Sequence, residues 1–264
     1  MSDTRTVVFG DDLSPGADVA WQFINAHRWS GWRLDVVTAE APAVPGIVLP
    51  IDATTPHPWD PPHPRSASAD AEFAEVANLT AIGDSRVVLS RASDLLVIGP
   101  RGPGLLKALH LGSTAEWLLL HPPAPLLIAR HGHRVQRIFV CADGSPHAGC
   151  VAEVLARLPW VADTEVTVLV VDDGRVDVAA AAEGVSRRLT PTGAAVEVVV
   201  ERGPTTATIH ATLAVAAPDL VAMGTRGLTG LQRLRLGSTA SAIARAAECS
   251  VLVACDESET VAGS

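Results

Sequence analysis

The sequence predicts an α/β protein made of two copies of one doubly wound parallel sheet. Three observations support this fold class. Short apolar runs alternate with helix-like stretches, the runs are continuously apolar as in parallel strands covered on both faces, and the elements recur in the same order in the second half. With 264 residues in all, each half holds about 130, which is enough to bury a core of its own.

The first strand and helix of the two copies share one pattern. TVVFGDDLSPGA (residues 6–17) and RIFVCADGSPHA (residues 137–148) each contain an apolar strand, an aspartate and a Ser-Pro pair. Helical stretches follow at Ala17–Ala26 and Ala148–Leu158. The match pairs Asp12 with Asp143, Ser14 with Ser145, and Pro15 with Pro146.

Three more strands correspond between the copies. They are Leu34–Ala39 and Val166–Val171, Ser93–Pro100 and Pro218–Thr225, and finally Pro125–Arg130 and Ser250–Cys255. Strands that alternate with helices are joined by right-handed crossovers, and such sheets bind ligands at the carboxyl ends of their strands.

The middle of each copy differs. The second copy predicts a helix over Val176–Leu189 and a strand over Val196–Glu201. The first copy has eight prolines within residues 41–64, and proline removes a helical N–H donor and clashes with the preceding turn. We therefore expect an extended loop there in place of a helix, while Ala69–Ala77 fits a strand or a helix equally well.

A glycine spacing follows the fourth strand of both copies. Gly99, Gly102 and Gly112 repeat as Gly224, Gly227 and Gly237, in the pattern G-2x-G-9x-G-S. Glycines at a strand end let the backbone approach a ligand, and the start of the following helix offers unpaired N–H groups to phosphate. The alternative is an ordinary helix cap at each Gly-Ser. The spacing matches neither a P-loop nor the G-x-G-x-x-G dinucleotide fingerprint.

Composition excludes several classes of function. The formal net charge of −9 argues against generic binding to nucleic acid or to an anionic membrane. The four cysteines form no C-x-x-C pair, which favours buried thiols in a reducing compartment, and no apolar run resembles a signal peptide or a membrane span. We therefore expect a cytoplasmic protein.

The histidines outside the repeats do not predict a metal site. His131 and His133 lie in a presumed linker at residues 131–134, where we expect them to be solvated, since a metal would need more ligands nearby. His57, Trp59 and His63 fall in the proline-rich loop and are interpreted as loop packing or a lid.

The repeated motifs resemble the universal stress protein family. The resemblance rests on the strand-Asp-Gly-Ser-Pro start, on MGTRG at residues 223–227, on the glycine spacing and on the closing apolar strand. It extends over nearly the whole chain and is similar to the tandem, two-domain form. It implies two Rossmann-like domains, each with a five-stranded parallel sheet flanked by helices. Their bounds would be residues 1–131, with a proline-rich insertion at about 41–65, and residues 134–256, followed by a frayed tail at 257–264.

The resemblance also implies an ATP site, with or without Mg²⁺, in each copy. In the second copy the site residues would be Asp143, Gly144, Ser145, Val171, Gly224, Arg226, Gly227, Gly237, Ser238 and Thr239. In the first copy they would be Asp12, Ala39, Gly99, Arg101, Gly102, Gly112, Ser113 and Thr114. The second site is expected to be tighter, because the first copy has Leu13 in place of Gly144, Pro100 in place of Thr225, and Asn78-Leu79 in place of Gly203-Pro204.

No catalytic residues can be assigned, because Asp12 and Asp143 are the only acids that map to the predicted clefts and no nucleophile-base pair is evident. We expect an ATP-binding protein with a regulatory or sensing role. The alternatives are a slow adenine-nucleotide hydrolase and a nucleotide-free scaffold. The last strands of the two copies are expected to pair within the chain as a pseudo-dimer, and two chains could assemble further into a homodimer.

Overall fold

A computed structural model describes residues 4–40, 64–101, 111–227 and 236–254. Its ten strands form one sheet in the order β3-β2-β1-β4-β5-β10-β9-β6-β7-β8. The strands are β1 (Arg5–Gly10), β2 (Trp32–Glu40), β3 (Glu75–Ile82), β4 (Leu95–Ile98), β5 (Leu126–Ile128), β6 (Arg137–Ala142), β7 (Glu165–Asp172), β8 (Ala195–Arg202), β9 (Leu220–Gly224) and β10 (Ser250–Ala254). The helices within these residues are α1 (Pro15–Ala26), α2 (Ser85–Val88), α3 (Ser113–Leu120), α4 (Pro146–Arg157), α5 (Val178–Leu189), α6 (Thr205–Ala216) and α7 (Ser238–Ala246).

The sheet is parallel except at its centre. There β5 pairs antiparallel with β10, with Leu127 opposite Leu252. The strand order on one side of this pair mirrors the order on the other side. The expected pairing of the two last strands is therefore confirmed, and the predicted α/β class with its mostly parallel sheet is confirmed as well. We call β1–β5 with their helices the first half, and β6–β10 with theirs the second half.

Apolar side chains cover both faces of the sheet. One face packs against α1, α4 and α5, and the other packs against α3, α6 and α7. Successive residues of β1 illustrate the alternation, because Val7 and Phe9 belong to the first core and Val8 to the second. This double cover explains why the central strands are continuously apolar in sequence. None of the described helices is long and apolar enough to cross a membrane.

The halves differ in the helices that flank their edge strands. In the second half, α5 and α6 have twelve residues each. In the first half, α2 has only four residues, and the described residues 64–74 contain no α-helix. Residues 41–63 of the proline-rich insertion lie outside the described part, so the extended loop expected there stays a prediction. Of the two alternatives for Ala69–Ala77, strand or helix, the structure shows a 3-10 turn at Ala69–Ala71 and a strand that begins at Glu75.

One alignment from the sequence is wrong. Asn78 and Leu79 lie inside β3, whereas Gly203-Pro204 follows β8. The residues after β3 are Gly83 and Asp84, and both Gly83 and Gly203 have positive φ angles (+154° and +141°). Both faces of β3 are largely exposed, so its sequence lacks the continuous apolar run that marks the end of a buried strand.

The segment between β5 and β6 is anchored rather than free. The expectation that His131 is solvated is wrong, because its ring is half-buried and its Nε2 lies 2.6 Å from the carbonyl oxygen of Asp219. His133 is exposed, and its ring stacks on that of His131 with 3.8 Å between centroids. Both rings thus belong to the packed junction between the halves.

Candidate functional site

A cleft of about 360 Å³ lies at the carboxyl ends of β6, β7 and β9. The strand β6 pairs with β7 on one side and with β9 on the other. This is the point where the strand order reverses, and open parallel sheets bind ligands at such points. Eight of the predicted second-half residues line the cleft, namely Asp143, Val171, Gly224, Arg226, Gly227, Gly237, Ser238 and Thr239.

The glycine loop forms one wall of this cleft by close backbone contact. A Cβ atom on Gly224 would lie 2.6 Å from Cβ of His147, at the start of α4. A Cβ atom on Gly227 would lie 2.7 Å from Oδ2 of Asp143. Glycine is therefore required sterically at Gly224, quite apart from any ligand, whereas at Gly227 a Cβ atom would meet only the end of the Asp143 side chain, which can turn aside. The loop is closed by a 2.6 Å hydrogen bond that the Gly237 N–H donates to the Thr225 carbonyl.

The helix α7 begins at the polar end of the cleft. Gly237 is its N-cap residue and supplies no side-chain acceptor, so no side chain satisfies the first N–H groups of the helix at this position. Ser238 and Thr239 follow in the cleft wall, where the Thr239 hydroxyl lies 2.9 Å from that of Thr206 on α6. This end offers N–H donors, hydroxyl groups and the positive end of the helix dipole.

Asp143, Gly144 and Ser145 form a tight turn that starts α4. The Asp143 carboxylate accepts a 2.9 Å hydrogen bond from the Ser145 N–H, and Gly144 has φ +77°. The Ser145 hydroxyl accepts from Ala148 N–H as the helix cap and donates to the Arg226 carbonyl. Gly144 and Ser145 therefore lie beside the cleft and hold its wall, while Asp143 itself reaches the cleft.

The opposite end of the cleft is apolar. Leu169, Val171, Ile209 and Met223 line it. Cys141 also lies in this wall, and burial raises the pKa of its thiol to about 12, with the charge of Asp143 acting in the same direction. The thiol is therefore neutral at physiological pH and is a poor nucleophile.

Three polar residues in the cleft were not anticipated. Asp173 and Arg175 follow β7, and the Thr205 hydroxyl, at the start of α6, lies 3.3 Å from Oδ2 of Asp173. Their position directly after the β7 strand end was the available signal, because the ends of parallel strands meet at one edge of the sheet.

One protein family model matches part of the second half. Residues 175–254 match the universal stress protein family model. A universal stress protein from Archaeoglobus fulgidus is 18% identical, covers 96% of this chain and 99% of its own, and superposes with a TM-score of 0.66. A functionally unknown protein from Pseudomonas aeruginosa PAO1 is 17% identical, covers 98% and 95%, and superposes with a TM-score of 0.61.

These two likenesses show that the chain shares the fold of both proteins along almost its whole length. A universal stress protein family protein from Arabidopsis thaliana with AMP bound is 17% identical and covers 48% of this chain and 97% of its own. Its TM-score of 0.39 is too low to support an inference about this chain. A search of curated proteins finds no match.

The first half repeats the turn and loop of the second half. Asp12 accepts a hydrogen bond from the Ser14 N–H, and Ser14 caps α1 and donates to the Arg101 carbonyl. Gly99 packs against the backbone of Gly16 with no room for a Cβ atom. The Gly112 N–H donates to the Pro100 carbonyl at 2.8 Å, so the loop closes as it does in the second half.

The other predicted first-half residues are only partly brought together. Ser113 starts α3, and the Thr114 hydroxyl lies 2.9 Å from that of Ser85 on α2. Ala39 lies near the end of β2, where it is half-buried. Gly102 lies outside the described residues.

Two features reduce the space at the first-half strand ends. Leu89, just after the short α2, packs so closely on Gly10 that a Cβ atom there would lie 2.9 Å from a Leu89 methyl group. Gly10 is the counterpart of Cys141 in the second-half cleft wall. Asp11, next in the chain, is buried and bound by two guanidinium nitrogens of Arg65 at 2.8 and 3.0 Å. Leu13 has φ +59° where the second half has Gly144.

Proposed function

We propose that this chain is an adenine-nucleotide-binding protein of the universal stress protein type, and that ATP binds in the cleft of the second half. The observation that carries the proposal is one cleft with two chemically different ends. One end has glycine backbone and the start of α7, and the other has apolar side chains. A nucleotide has the same division between its phosphates and its base.

The phosphates would lie against Gly224, Gly227 and the first turn of α7. Anions bind at helix N-termini because the N–H groups are unpaired and the dipole is positive there. Ser238 and Thr239 would add hydroxyl donors, and Arg226 would add a positive charge. In a protein of net charge −9, such local donors are what an anionic ligand requires.

The base would lie on the apolar side chains of Leu169, Val171, Ile209 and Met223. Asp143 and Asp173 would then be available as acceptors for the ribose hydroxyl groups, since an ionised carboxylate is an acceptor only. Mg²⁺, if bound with ATP, would be held mainly by the phosphate oxygens, as is usual for this ion.

The second-half site would be the tighter of two sites. In the first half Leu89 fills space beside Gly10, and Arg65 is committed to Asp11. Pro100 also cannot form the 2.9 Å hydrogen bond that the Thr225 N–H donates to the Ala254 carbonyl, so the first-half loop lacks that tie to the last strand of its half. We interpret the chain as two domains, at residues 1–131 and 134–256, joined through β5 and β10, with one tight nucleotide site.

The role that fits these features is regulatory, with bound nucleotide setting the conformation or partner choice of a cytoplasmic protein. A slow hydrolase is the second candidate, with Asp143 as the acid nearest the glycine loop. A scaffold without nucleotide is the third, since packing against α4 requires glycine at Gly224 whether or not a ligand binds.

Matched variants in the two halves test the proposal. Asp143→Ala and Asp12→Ala each remove a carboxylate that accepts the serine N–H at the same turn, and urea unfolding of both variants measures what each loss costs the fold. We expect Asp143→Ala to weaken ATP binding by at least about 10-fold in calorimetric titration, because one good polar contact contributes about 1.4 kcal/mol or more. Asp12→Ala should leave the tight site unchanged. Equal losses in both variants would contradict the assignment, and no ATP binding by the wild type would favour the scaffold.

A further inference from the structure

Two histidines and an aspartate meet where the β5–β6 segment crosses the start of β9. Ring nitrogens of His131 and His133 and a carboxylate oxygen of Asp219 all lie within 4.8 Å of one another. His133 Nε2 lies 3.2 Å from Oδ1 of Asp219. The cluster brings together residues 88 positions apart in the chain, so only the fold reveals it.

The Asp219 carboxylate is held in a fixed orientation. Its Oδ2 accepts 2.9 Å hydrogen bonds from the N–H groups of Gln136 and Arg137, so Oδ1 is the oxygen that faces His133. Asp94 is its counterpart in the first half and accepts from the N–H of Thr6 in the same way. In both halves, this aspartate therefore has the structural role of fixing the first strand of its half. The two stacked imidazoles beside Asp219 are an additional feature of the second half.

His131 is also anchored before any ligand binds. Its Nε2 lies 2.6 Å from the Asp219 carbonyl, which can only accept, so Nε2 carries the proton and Nδ1 carries a lone pair. Nδ1 is buried and has no hydrogen-bond partner among the residues that the structure describes. An imidazole that donates one N–H to a backbone carbonyl while the other nitrogen stays unprotonated is the arrangement usual for a metal-binding histidine.

The segment that carries both rings is held on two sides. Gly132 lies against α1 so closely that a Cβ atom there would lie 2.4 Å from Cβ of Gln22. The N–H of Arg130 donates to the Ser250 hydroxyl of β10. The glycine between the histidines thus lets the segment pack tightly while both rings turn to the same side and stack.

We propose that His131, His133 and Asp219 bind one divalent transition-metal ion, for which Zn²⁺ is the best match. Two imidazoles and one carboxylate are a common Zn²⁺ ligand set, with water as the fourth ligand. Bond lengths of about 2.0–2.1 Å require the ligand atoms to close to roughly 3.3 Å from one another. The exposed His133 ring can make most of that movement by turning out of its stack.

A metal at this position would join the connection between the halves to the start of β9. It would therefore stabilise the arrangement of the two halves, and it is independent of nucleotide binding. Loss of ATP binding would leave this proposal intact, and loss of metal binding would leave the nucleotide proposal intact.

The test is a metal titration of the full, tag-free chain after treatment with EDTA and desalting. Co²⁺ is followed by its visible absorption, and Zn²⁺ by competition with a chromophoric chelator. We expect one ion per chain, an affinity lowered at least about 10-fold in His133→Ala, and a rise in melting temperature with Zn²⁺ that this variant lacks. His210→Ala on α6 is the matched control for adventitious binding to imidazole and should behave as wild type.

Because His133 is exposed, the variant should melt like wild type without metal, so a loss of binding cannot be attributed to misfolding. Asp219→Asn retains an acceptor for the Gln136 and Arg137 N–H groups while removing the charge, and it should also weaken binding. The proposal is overturned if the wild type binds no Zn²⁺, or if His133→Ala binds it as tightly as wild type does.

Discussion

His27 should make the stability of the fold depend on pH in a way that can be calculated. It ends α1 and is almost fully buried at 1% exposure, between the rings of Phe23 and Trp160. Its Nδ1 donates to the Phe23 carbonyl at 2.7 Å, and its Nε2 accepts from the Val135 N–H at 2.9 Å. A second proton would have to be added at Nε2, where it would displace the Val135 N–H.

Burial lowers the pKa of His27 from 6.5 to about 4, and the positive charge of Arg134 acts in the same direction. The unfolded chain therefore binds a proton at higher pH than the folded chain does. The stabilisation is fully present above pH 6.5 and is lost as the pH falls towards 4. Since one pKa unit corresponds to 1.36 kcal/mol, the loss is about 2 kcal/mol between pH 7 and pH 5 and about 3 kcal/mol by pH 4.

The assay is urea unfolding of wild type and His27→Gln at pH 7 and pH 5. Glutamine keeps an acceptor for the Val135 N–H and does not titrate, so the variant serves as the reference for all other groups. We expect the wild type to lose about 2 kcal/mol more than the variant over this interval, whatever their difference at pH 7. An identical pH dependence for the two proteins would show that the buried His27 does not have the lowered pKa.

Three further substitutions test single features of the structure. Arg65→Met leaves the Asp11 carboxylate buried without its ion-pair partner and should lower the free energy of unfolding in urea by about 3 kcal/mol. An unchanged free energy of unfolding would show that the ion pair is not formed. Leu13→Gly should raise melting stability by up to about 1 kcal/mol because it relieves a left-handed backbone, and a decrease would contradict the strained φ angle. Gly227→Ala places a Cβ atom 2.7 Å from Oδ2 of Asp143. It should weaken ATP binding about 10-fold and change the free energy of unfolding by less than about 1 kcal/mol. Unchanged ATP affinity would argue against this wall as the phosphate site.

The parts of the fold that sequence could predict are those set by local patterns. Continuous apolar runs located β1, β2, β4, β5, β6, β7, β9 and β10, because a strand buried on both faces must be apolar throughout. The exposed faces of edge strand β3 carry no such signal, and its limits were therefore missed. The repeated Asp-x-Ser turns were located because they depend on residues two positions apart.

Contacts between distant residues could not be predicted in the same way. Leu89 reaches Gly10 only because α2 is short, and Arg65 reaches Asp11 across 54 positions. The stacking of His131 on His133, and their meeting with Asp219, likewise depend on how the two halves join. Such contacts decide the quality of each candidate site, whereas the glycine spacing alone makes the two halves look nearly equal.

The proposal of one tight nucleotide site per chain is best tested by counting the ATP molecules bound at equilibrium. Freshly purified protein would first be unfolded, so that any adenine nucleotide is released and identified. Nucleotide-free protein, obtained by refolding or by dialysis, would then be titrated with ATP in a calorimeter. We predict one tight ATP site per chain, with any second site at least about 10-fold weaker. Two equal sites would contradict the inequality of the halves, and no binding would contradict the nucleotide function.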